Sequence, residues 1–127
     1  MPMVLVDTSV WVSHFRKANG VLQSLLIQDQ VLCHPLVVLE LACGSPPSPR
    51  VKTLFEIQSL QQATVATKSE TLEFVEKNKL YESGCGAIDI SLLASTLLSK
   101  NALIWSLDKK LHVLANQLGI AFKDNLH

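Results

Sequence analysis

The sequence is poor in the features that mark secreted, membrane-spanning and zinc-finger proteins. It has three cysteines in 127 residues, Cys33, Cys43 and Cys85, and no C-x-x-C pair. This spacing argues against a disulfide framework or a zinc site, so we expect reduced thiols. The first apolar run has no basic segment before it and is interrupted by Asp7, which predicts neither a signal peptide nor a transmembrane helix. These absences predict a cytoplasmic protein without membrane contact.

The sequence also lacks an excess of positive charge, because 11 lysine and arginine residues balance 11 acidic residues. A strongly basic surface over the whole protein is therefore not expected, although a local basic rim is compatible with this balance. No glycine-rich phosphate loop followed by Lys-Ser or Lys-Thr occurs. Hydrophobic residues make up 48% and charged residues 17%, which predicts a compact globular chain. The length predicts one domain over residues 1–127.

Apolar runs and helix-capping signals alternate along the chain, which predicts an α/β protein with a mostly parallel sheet and helices on both faces. The first strand is predicted at 3–6, where four apolar residues follow one another. The Pro-rich segment 45–49 is predicted as a loop. We expect the strands at 3–6, 30–33, 63–66, 102–105 and 120–122, and the helices at 9–17, 20–26, 35–43, 50–59, 68–80, 87–98 and 109–118.

Two aspartates, Asp7 and Asp108, follow predicted strands and precede predicted helices. The carboxyl ends of parallel strands are where open α/β sheets bind ligands, so both carboxylates are candidate site residues. Each has an equally good structural explanation, because aspartate is a preferred residue at the N-cap of a helix. Thr8 and Ser9 compete with Asp7 for the capping position.

Two further acids, Glu40 and Asp89, lie inside very apolar predicted helices. Asp89 could instead interact with the positive end of its helix dipole. Carboxylates are rarely buried without a partner, and no Lys or Arg stands at helical spacing from Glu40. A Mg²⁺ or Mn²⁺ ion would relieve the repulsion between four such groups, since both ions prefer oxygen ligands. Such an ion also lowers the pKa of the water it binds and positions a phosphodiester.

Other acid-based and histidine-based sites fit less well. A haloacid-type phosphatase needs a second aspartate two residues after the first, where Ser9 stands. A response-receiver domain needs an acid pair after the first strand and a further aspartate near mid-chain, and both are missing. The histidines show no metal-ligand spacing and are predicted to be surface or partly packed side chains; they are His14, His34, His112 and His127.

Four segments, in this order, resemble the PIN-domain ribonucleases and, within them, the VapC-type toxins of bacterial and archaeal toxin–antitoxin pairs. They are Val6–Trp11, Glu40–Gly44, Ala87–Ala94 and Trp105–Leu111. The resemblance covers almost the whole chain. It implies a three-layer α/β/α sandwich around a parallel sheet and a Mg²⁺- or Mn²⁺-dependent endoribonuclease. It also implies homodimers and a small antitoxin that obstructs the site.

By this resemblance, the acidic cluster that binds the metal and catalyses hydrolysis consists of Asp7, Glu40, Asp89 and Asp108. Thr8 or Ser9, and Ser106, match small hydroxyl positions that order the site or its water.

The chain departs from the family pattern at Lys110, where many relatives carry a further acid. This substitution removes one ligand and puts a second metal ion in doubt. Lys109 or Lys110 could contact the RNA backbone, or both could lie on a solvated helix face. The departure and the neutral net charge leave open a PIN-like binding or regulatory module with little catalysis. The residues alone also allow a metal-dependent DNA nuclease or phosphatase. For partner contact, the sequence indicates the helix between Arg50 and Leu60.

Overall fold

The computed structural model describes residues 1–124, which form four strands and seven helices. The strands are β1 (Met3–Val6), β2 (Val31–Cys33), β3 (Gln61–Gln62) and β4 (Ala102–Trp105). The helices are α1 (Thr8–Arg16), α2 (Gly20–Ile27), α3 (Pro35–Cys43), α4 (Arg50–Gln58), α5 (Lys68–Asn78), α6 (Ala87–Leu98) and α7 (Lys109–Gln117). None of the helices in this range is long and apolar enough to cross a membrane.

The four strands form one parallel sheet in the order β3-β2-β1-β4. β1 lies in the middle, and its Val4, Leu5 and Val6 are at most 1% exposed. A strand buried on both faces must be apolar throughout, which is what its sequence shows. Helices flank the sheet, so the predicted α/β architecture with a parallel central sheet is confirmed.

Local capping signals explain where several helices begin. The Asn19 side chain accepts hydrogen bonds from the backbone N–H groups of Val21 and Leu22 at the start of α2. Thr67 and Glu70 form the reciprocal capping box of α5. These helices were predicted from the same residues.

Two predicted strands are wrong in position or extent. The strand expected at 63–66 is displaced, since β3 comprises only Gln61 and Gln62, which are exposed and pair with β2. The strand expected at 120–122 is reduced to one isolated bridge between Ala121 and Ile104. In both segments, hydrogen bonding to a neighbouring strand, rather than apolar content, determines which residues extend the sheet.

The prediction for His34 is also wrong, because this side chain is fully buried. Its Nδ1 accepts a hydrogen bond from the Leu36 backbone N–H and thereby caps α3. Its Nε2 lies 2.9 Å from Oγ of Ser95 on α6. Ser95 Oγ also accepts a hydrogen bond from the backbone N–H of Ala66. His34 therefore joins α3 to α6 and to the segment that precedes α5. The prediction for His127 lies outside the described residues.

Candidate active site

Asp7 lies at the carboxyl end of β1 and is 4% exposed. It occupies the N-cap position of α1, but its side chain accepts no capping hydrogen bond, so the capping explanation is wrong for this residue. Instead, its Oδ2 accepts hydrogen bonds from the hydroxyls of Ser9, at 2.7 Å, and Ser106, at 2.8 Å. The pairing of Val6 with Trp105 places Ser106 beside Asp7 at the ends of adjacent strands.

The same two hydroxyls also bind the turn between β4 and α7. Ser9 Oγ accepts a hydrogen bond from the Leu107 backbone N–H at 2.9 Å. Ser106 Oγ accepts one from the Asp108 backbone N–H at 3.0 Å. Each serine therefore donates to the Asp7 carboxylate and accepts from the turn. This arrangement couples the orientation of Asp7 to the position of Asp108.

Asp108 is the exposed N-cap of α7, and its Oδ1 accepts a hydrogen bond from the Leu111 backbone N–H at 3.0 Å. The capping explanation is therefore correct for this acid. A cap uses one oxygen of the carboxylate and fixes the direction of the other.

Glu40 lies on α3, where it is half-buried. Its Oε1 accepts a hydrogen bond of 2.6 Å from Thr8 Oγ1, in the first turn of α1. α1 packs against α3, and this bond fixes the acid at the contact between the two helices. Thr8 therefore donates a hydrogen bond to Glu40, as Ser9 does to Asp7.

Asp89 is the third residue of α6, and the other three acids affect its pKa. Burial raises its pKa, and the carboxylates of Asp7, Asp108 and Glu40 raise it further, to about 6. A backbone hydrogen bond from Gly86 acts in the opposite direction. Like charges nearby disfavour the ionised form, so these carboxylates and the burial of Asp89 together make it harder to ionise.

The donor set fits a hard divalent cation in its chemistry, since it offers carboxylate and hydroxyl oxygens. Burial and repulsion from the other carboxylates both raise the pKa of Asp89, and a bound cation would offset both effects. Within residues 1–124, however, no three His, Cys, Asp or Glu side chains are arranged so that they could hold a metal ion together. Asp7 and Glu40 accept hydrogen bonds from hydroxyls instead, and Asp108 accepts one from a backbone N–H group.

A cavity of about 520 Å³ adjoins Glu40. Arg16, the last residue of α1, lines it together with Phe15 and the start of the Pro-rich loop. The sequence analysis missed Arg16. The helical pattern of α1 places Arg16 on the face opposite the buried Val10 and Trp11. This pattern predicts that Arg16 is exposed, but it does not predict which cavity the side chain lines.

Comparison with known proteins found relatives over the whole chain. The protein is 40% identical, over 124 residues, to Ribonuclease VapC32 of Mycobacterium tuberculosis, in strains CDC 1551 / Oshkosh and ATCC 25618 / H37Rv. The matched region covers 98% of this chain and 99% of the relative. No protein-family model matches the sequence.

Among solved structures, a chain in the structure of VapBC-1 from nontypeable Haemophilus influenzae has the same fold. The TM-score is 0.68 at 13% sequence identity, and the match covers 96% of this chain and 97% of that one. The structural match shows a shared fold at low sequence identity. The 40% identity over almost the whole chain shows the family. This protein therefore belongs to the VapC family of PIN-domain proteins.

Proposed function

We propose that this protein is a metal-dependent endoribonuclease and the toxin of a toxin–antitoxin pair. The observation that carries the proposal is the hydrogen-bond network at the carboxyl edge of the sheet, in which Ser9 and Ser106 join Asp7 to the turn that carries Asp108. The raised pKa of Asp89, caused by burial and by the carboxylates of Asp7, Asp108 and Glu40, supports it. The relative at 40% identity is named a ribonuclease, which supports RNA as the substrate.

The residues that would hold a Mg²⁺ or Mn²⁺ ion are Asp7, Glu40, Asp89 and Asp108. When bound, the cation supplies charge stabilisation to the phosphate and lowers the pKa of a water molecule. A preformed cage is not required, because Mg²⁺ keeps several waters and takes only one or two carboxylates directly. This accounts for a site in which no three acids are yet arranged as ligands.

The hydroxyl groups have a positioning role. Ser9 and Ser106 hold the same oxygen of Asp7, so the direction of its other oxygen is fixed as well. Thr8 does the same for Glu40. In the hydrolysis, the oxygen of a water forms a bond to phosphorus and one P–O bond of the RNA breaks. The leaving oxygen takes up a proton, and the water loses one.

The RNA strand would extend from the acids into the cavity beside Glu40. Arg16 offers that cavity a guanidinium group, which binds phosphate oxygens well. The balance of charge over the whole chain does not oppose this, because such contacts are local.

The proposed partners are a small antitoxin and a second copy of this chain. The structural neighbour comes from VapBC-1, which supports an antitoxin partner. We infer from the family resemblance that this antitoxin obstructs the acidic cluster. The homodimer is a proposal from the family, supported by the exposed apolar residues of α4. A cytoplasmic location is likewise proposed from the family.

The first test is cleavage of a mixed pool of structured RNAs by the purified protein. We expect cleavage with Mn²⁺, none with EDTA, and a loss of at least about 100-fold in Asp89→Asn or Asp7→Asn. Glu73→Gln is the matched control, since it removes an exposed acid on α5 and should cleave as wild type does.

Mn²⁺ titration of the same variants distinguishes the alternatives. A folded protein that neither cleaves RNA nor binds Mn²⁺ better than Glu40→Gln does would contradict the proposal and favour a binding or regulatory module. Cleavage of a DNA pool in place of RNA would identify a DNA nuclease built on the same cluster.

A further inference from the structure

Asp89 differs from the other three acids in what holds it. Hydroxyl groups donate hydrogen bonds to the carboxylates of Asp7 and Glu40, and a backbone N–H group donates to that of Asp108. Asp89 has a hydrogen bond with the backbone of Gly86, just before its own helix, and no side chain within residues 1–124 donates to it. The placement of α6 itself therefore determines where this carboxylate lies.

Apolar packing binds α6 to the core but does not determine its placement alone. Ile90, Leu92 and Leu93 are buried in the core cluster. Such contacts are non-directional, so they tolerate a small slide or rotation of the helix. The first half of α6 and Leu36, at the start of α3, line a common cavity of about 570 Å³, so close packing does not fix the distance between the two helices there.

His34 and Ser95 supply a directional contact between these helices. Both side chains are fully buried, and His34 Nε2 lies 2.9 Å from Ser95 Oγ. Because His34 Nδ1 accepts the Leu36 N–H, Nε2 carries the proton of the neutral ring and donates it to Ser95. Ser95 Oγ accepts a second hydrogen bond, at 2.9 Å, from the Ala66 backbone N–H. These bonds tie α6 to the N-terminus of α3 and to the segment before α5.

His34 lies at the edge of the sheet where Asp7 lies. Leu5 of β1 pairs with Leu32 of β2, and the same register continued by two residues places His34 beside Asp7. The bond from His34 to Ser95 therefore relates α6 to the strand end that carries Asp7.

Each of the two bonded residues is close to one acid along its own helix. Glu40 follows His34 by six residues, and Asp89 precedes Ser95 by six residues. At a rise of about 1.5 Å per residue, each acid is about 9 Å along its helix from the bond. A slide or tilt of either helix at the bond would therefore displace its carboxylate, and a displacement of about 1 Å is enough to impair a site of this kind.

We propose that His34 and Ser95 are positioning residues, whose buried hydrogen bond sets the placement of Asp89 relative to Glu40 and thereby the affinity of the acidic cluster for Mg²⁺ or Mn²⁺. The inference rests on the proposed metal-dependent function and deepens it. Neither residue needs to contact the metal or the RNA.

Two substitutions of His34 separate its two hydrogen bonds. Asparagine can place an oxygen where Nδ1 accepts the Leu36 N–H, but it is too short to reach Ser95. Glutamine is one methylene longer and can place its amide N–H where Nε2 donates to Ser95. His34→Asn therefore keeps the cap of α3 and loses the bond to α6, whereas His34→Gln does the reverse.

The test is calorimetric titration of the metal-free, folded variants with Mn²⁺, at a temperature well below the Tm of each. We expect His34→Asn and Ser95→Ala each to raise the Kd by about 10-fold, the loss typical when a group that orients metal ligands is removed. The double variant should bind no more weakly than either single one, because both changes remove the same bond. His34→Gln should bind Mn²⁺ nearly as wild type does, although loss of the cap lowers its Tm.

Thr96→Val is the matched control for loss of a buried hydroxyl on α6. Thr96 is buried next to Ser95, and its Oγ1 donates to the Leu92 carbonyl of the same helix at 2.8 Å. This bond does not join α6 to another element, so the variant should lose stability and keep the wild-type Kd for Mn²⁺. A general loosening of the fold would instead weaken binding in Thr96→Val and His34→Gln as well.

Two results would overturn the inference while leaving the nuclease intact: a wild-type Kd for Mn²⁺ in both His34→Asn and Ser95→Ala, or an equal rise in Kd in Thr96→Val. If one of the two test variants does not fold, the other gives the same comparison. If the wild-type chain itself binds no Mn²⁺, the proposed metal-dependent function fails, and the inference fails with it.

Discussion

Burial, and then the carboxylates of Asp7, Asp108 and Glu40, make Asp89 harder to ionise in the folded protein. Its pKa of about 6 in the folded protein exceeds the ordinary value of 3.8, so the folded state holds this proton more tightly than the unfolded chain does. Asp89 therefore stabilises the metal-free fold least when it is ionised. Its contribution is fully present below pH 4 and is lost as the pH rises through 6.

Asp89→Asn should consequently stabilise the metal-free protein. In EDTA at pH 7.5 we expect a gain of about 1 kcal/mol in the free energy of unfolding, less than the full pKa shift implies, because the carboxyl is partly solvent-exposed. The gain should vanish below pH 4. Mn²⁺ should raise the Tm of wild type and not that of the variant. Urea unfolding with Glu73→Gln as control checks this, and a variant less stable than wild type at pH 7.5 would contradict it.

At this scale the sequence singled out the four acids and, through the family resemblance, the hydroxyl residues near them, but not the hydrogen bonds that connect them. Glu40 and Asp89 could be singled out because a carboxylate inside an apolar helix needs a partner. The specific bonds of Ser9 and Ser106 could not be predicted, since they depend on the register between β1 and β4.

The N-terminus of α3 depends on a neutral histidine. Because His34 Nδ1 accepts the Leu36 N–H, the proton of the neutral ring lies on Nε2, which donates to Ser95. Protonation of Nδ1 would remove the cap. Burial lowers the pKa of His34 below its usual 6.5, which favours the neutral ring that caps α3.

We therefore expect acid to weaken this junction. Below pH 6.5 the unfolded chain takes up a proton that folded His34 does not, so the free energy of unfolding falls by up to about 1.4 kcal/mol per pH unit. His34→Asn keeps a capping oxygen and does not titrate, so it should be less stable at pH 7.5 but lose less between pH 6.5 and 5.

The opposite slope from Asp89 overlaps this pH range. The proteins with and without the His34→Asn change should therefore be compared in the Asp89→Asn background, with His112→Asn as the histidine control. If the His34→Asn change leaves the pH slope of the unfolding free energy as it was, this residue has no part in the acid response.

Among the elements, helices were easier to predict than the edge of the sheet. Capping residues, proline at a first turn and glycine after a last turn are local signals, and they located helix ends within one or two residues. β3 has no such signal, because two exposed glutamines join the sheet through their backbone alone. The apolar residues just after it, Ala63 and Ala66, are buried without being strand.

The surface of the whole molecule has an apolar patch on α4. Val51 and Phe55 are one helical turn apart and are 76% and 67% exposed. The sequence indicated this helix for partner contact, and the proposed homodimer gives it a role.

If α4 forms the dimer contact, charge placed there should separate the copies. We expect the double variant Val51→Lys, Phe55→Lys to sediment as a monomer at concentrations where wild type is a dimer, since like charges would be buried together. Ile27→Lys, which changes an apolar residue 85% exposed on α2, should leave the assembly unchanged. A dimer that persists in the α4 variant would place the contact elsewhere.

The order of the strands determines when the acids can meet. Asp7 and Ser106, bonded in the folded protein, are 99 residues apart in the chain, and β1 needs β4 beside it to bring them together. A ribosome making this protein therefore extrudes Asp7 early and the turn that orients it late. Until β4 has emerged and paired, the growing chain lacks Ser106 and Asp108, so the proposed site stays incomplete during most of the synthesis of each copy.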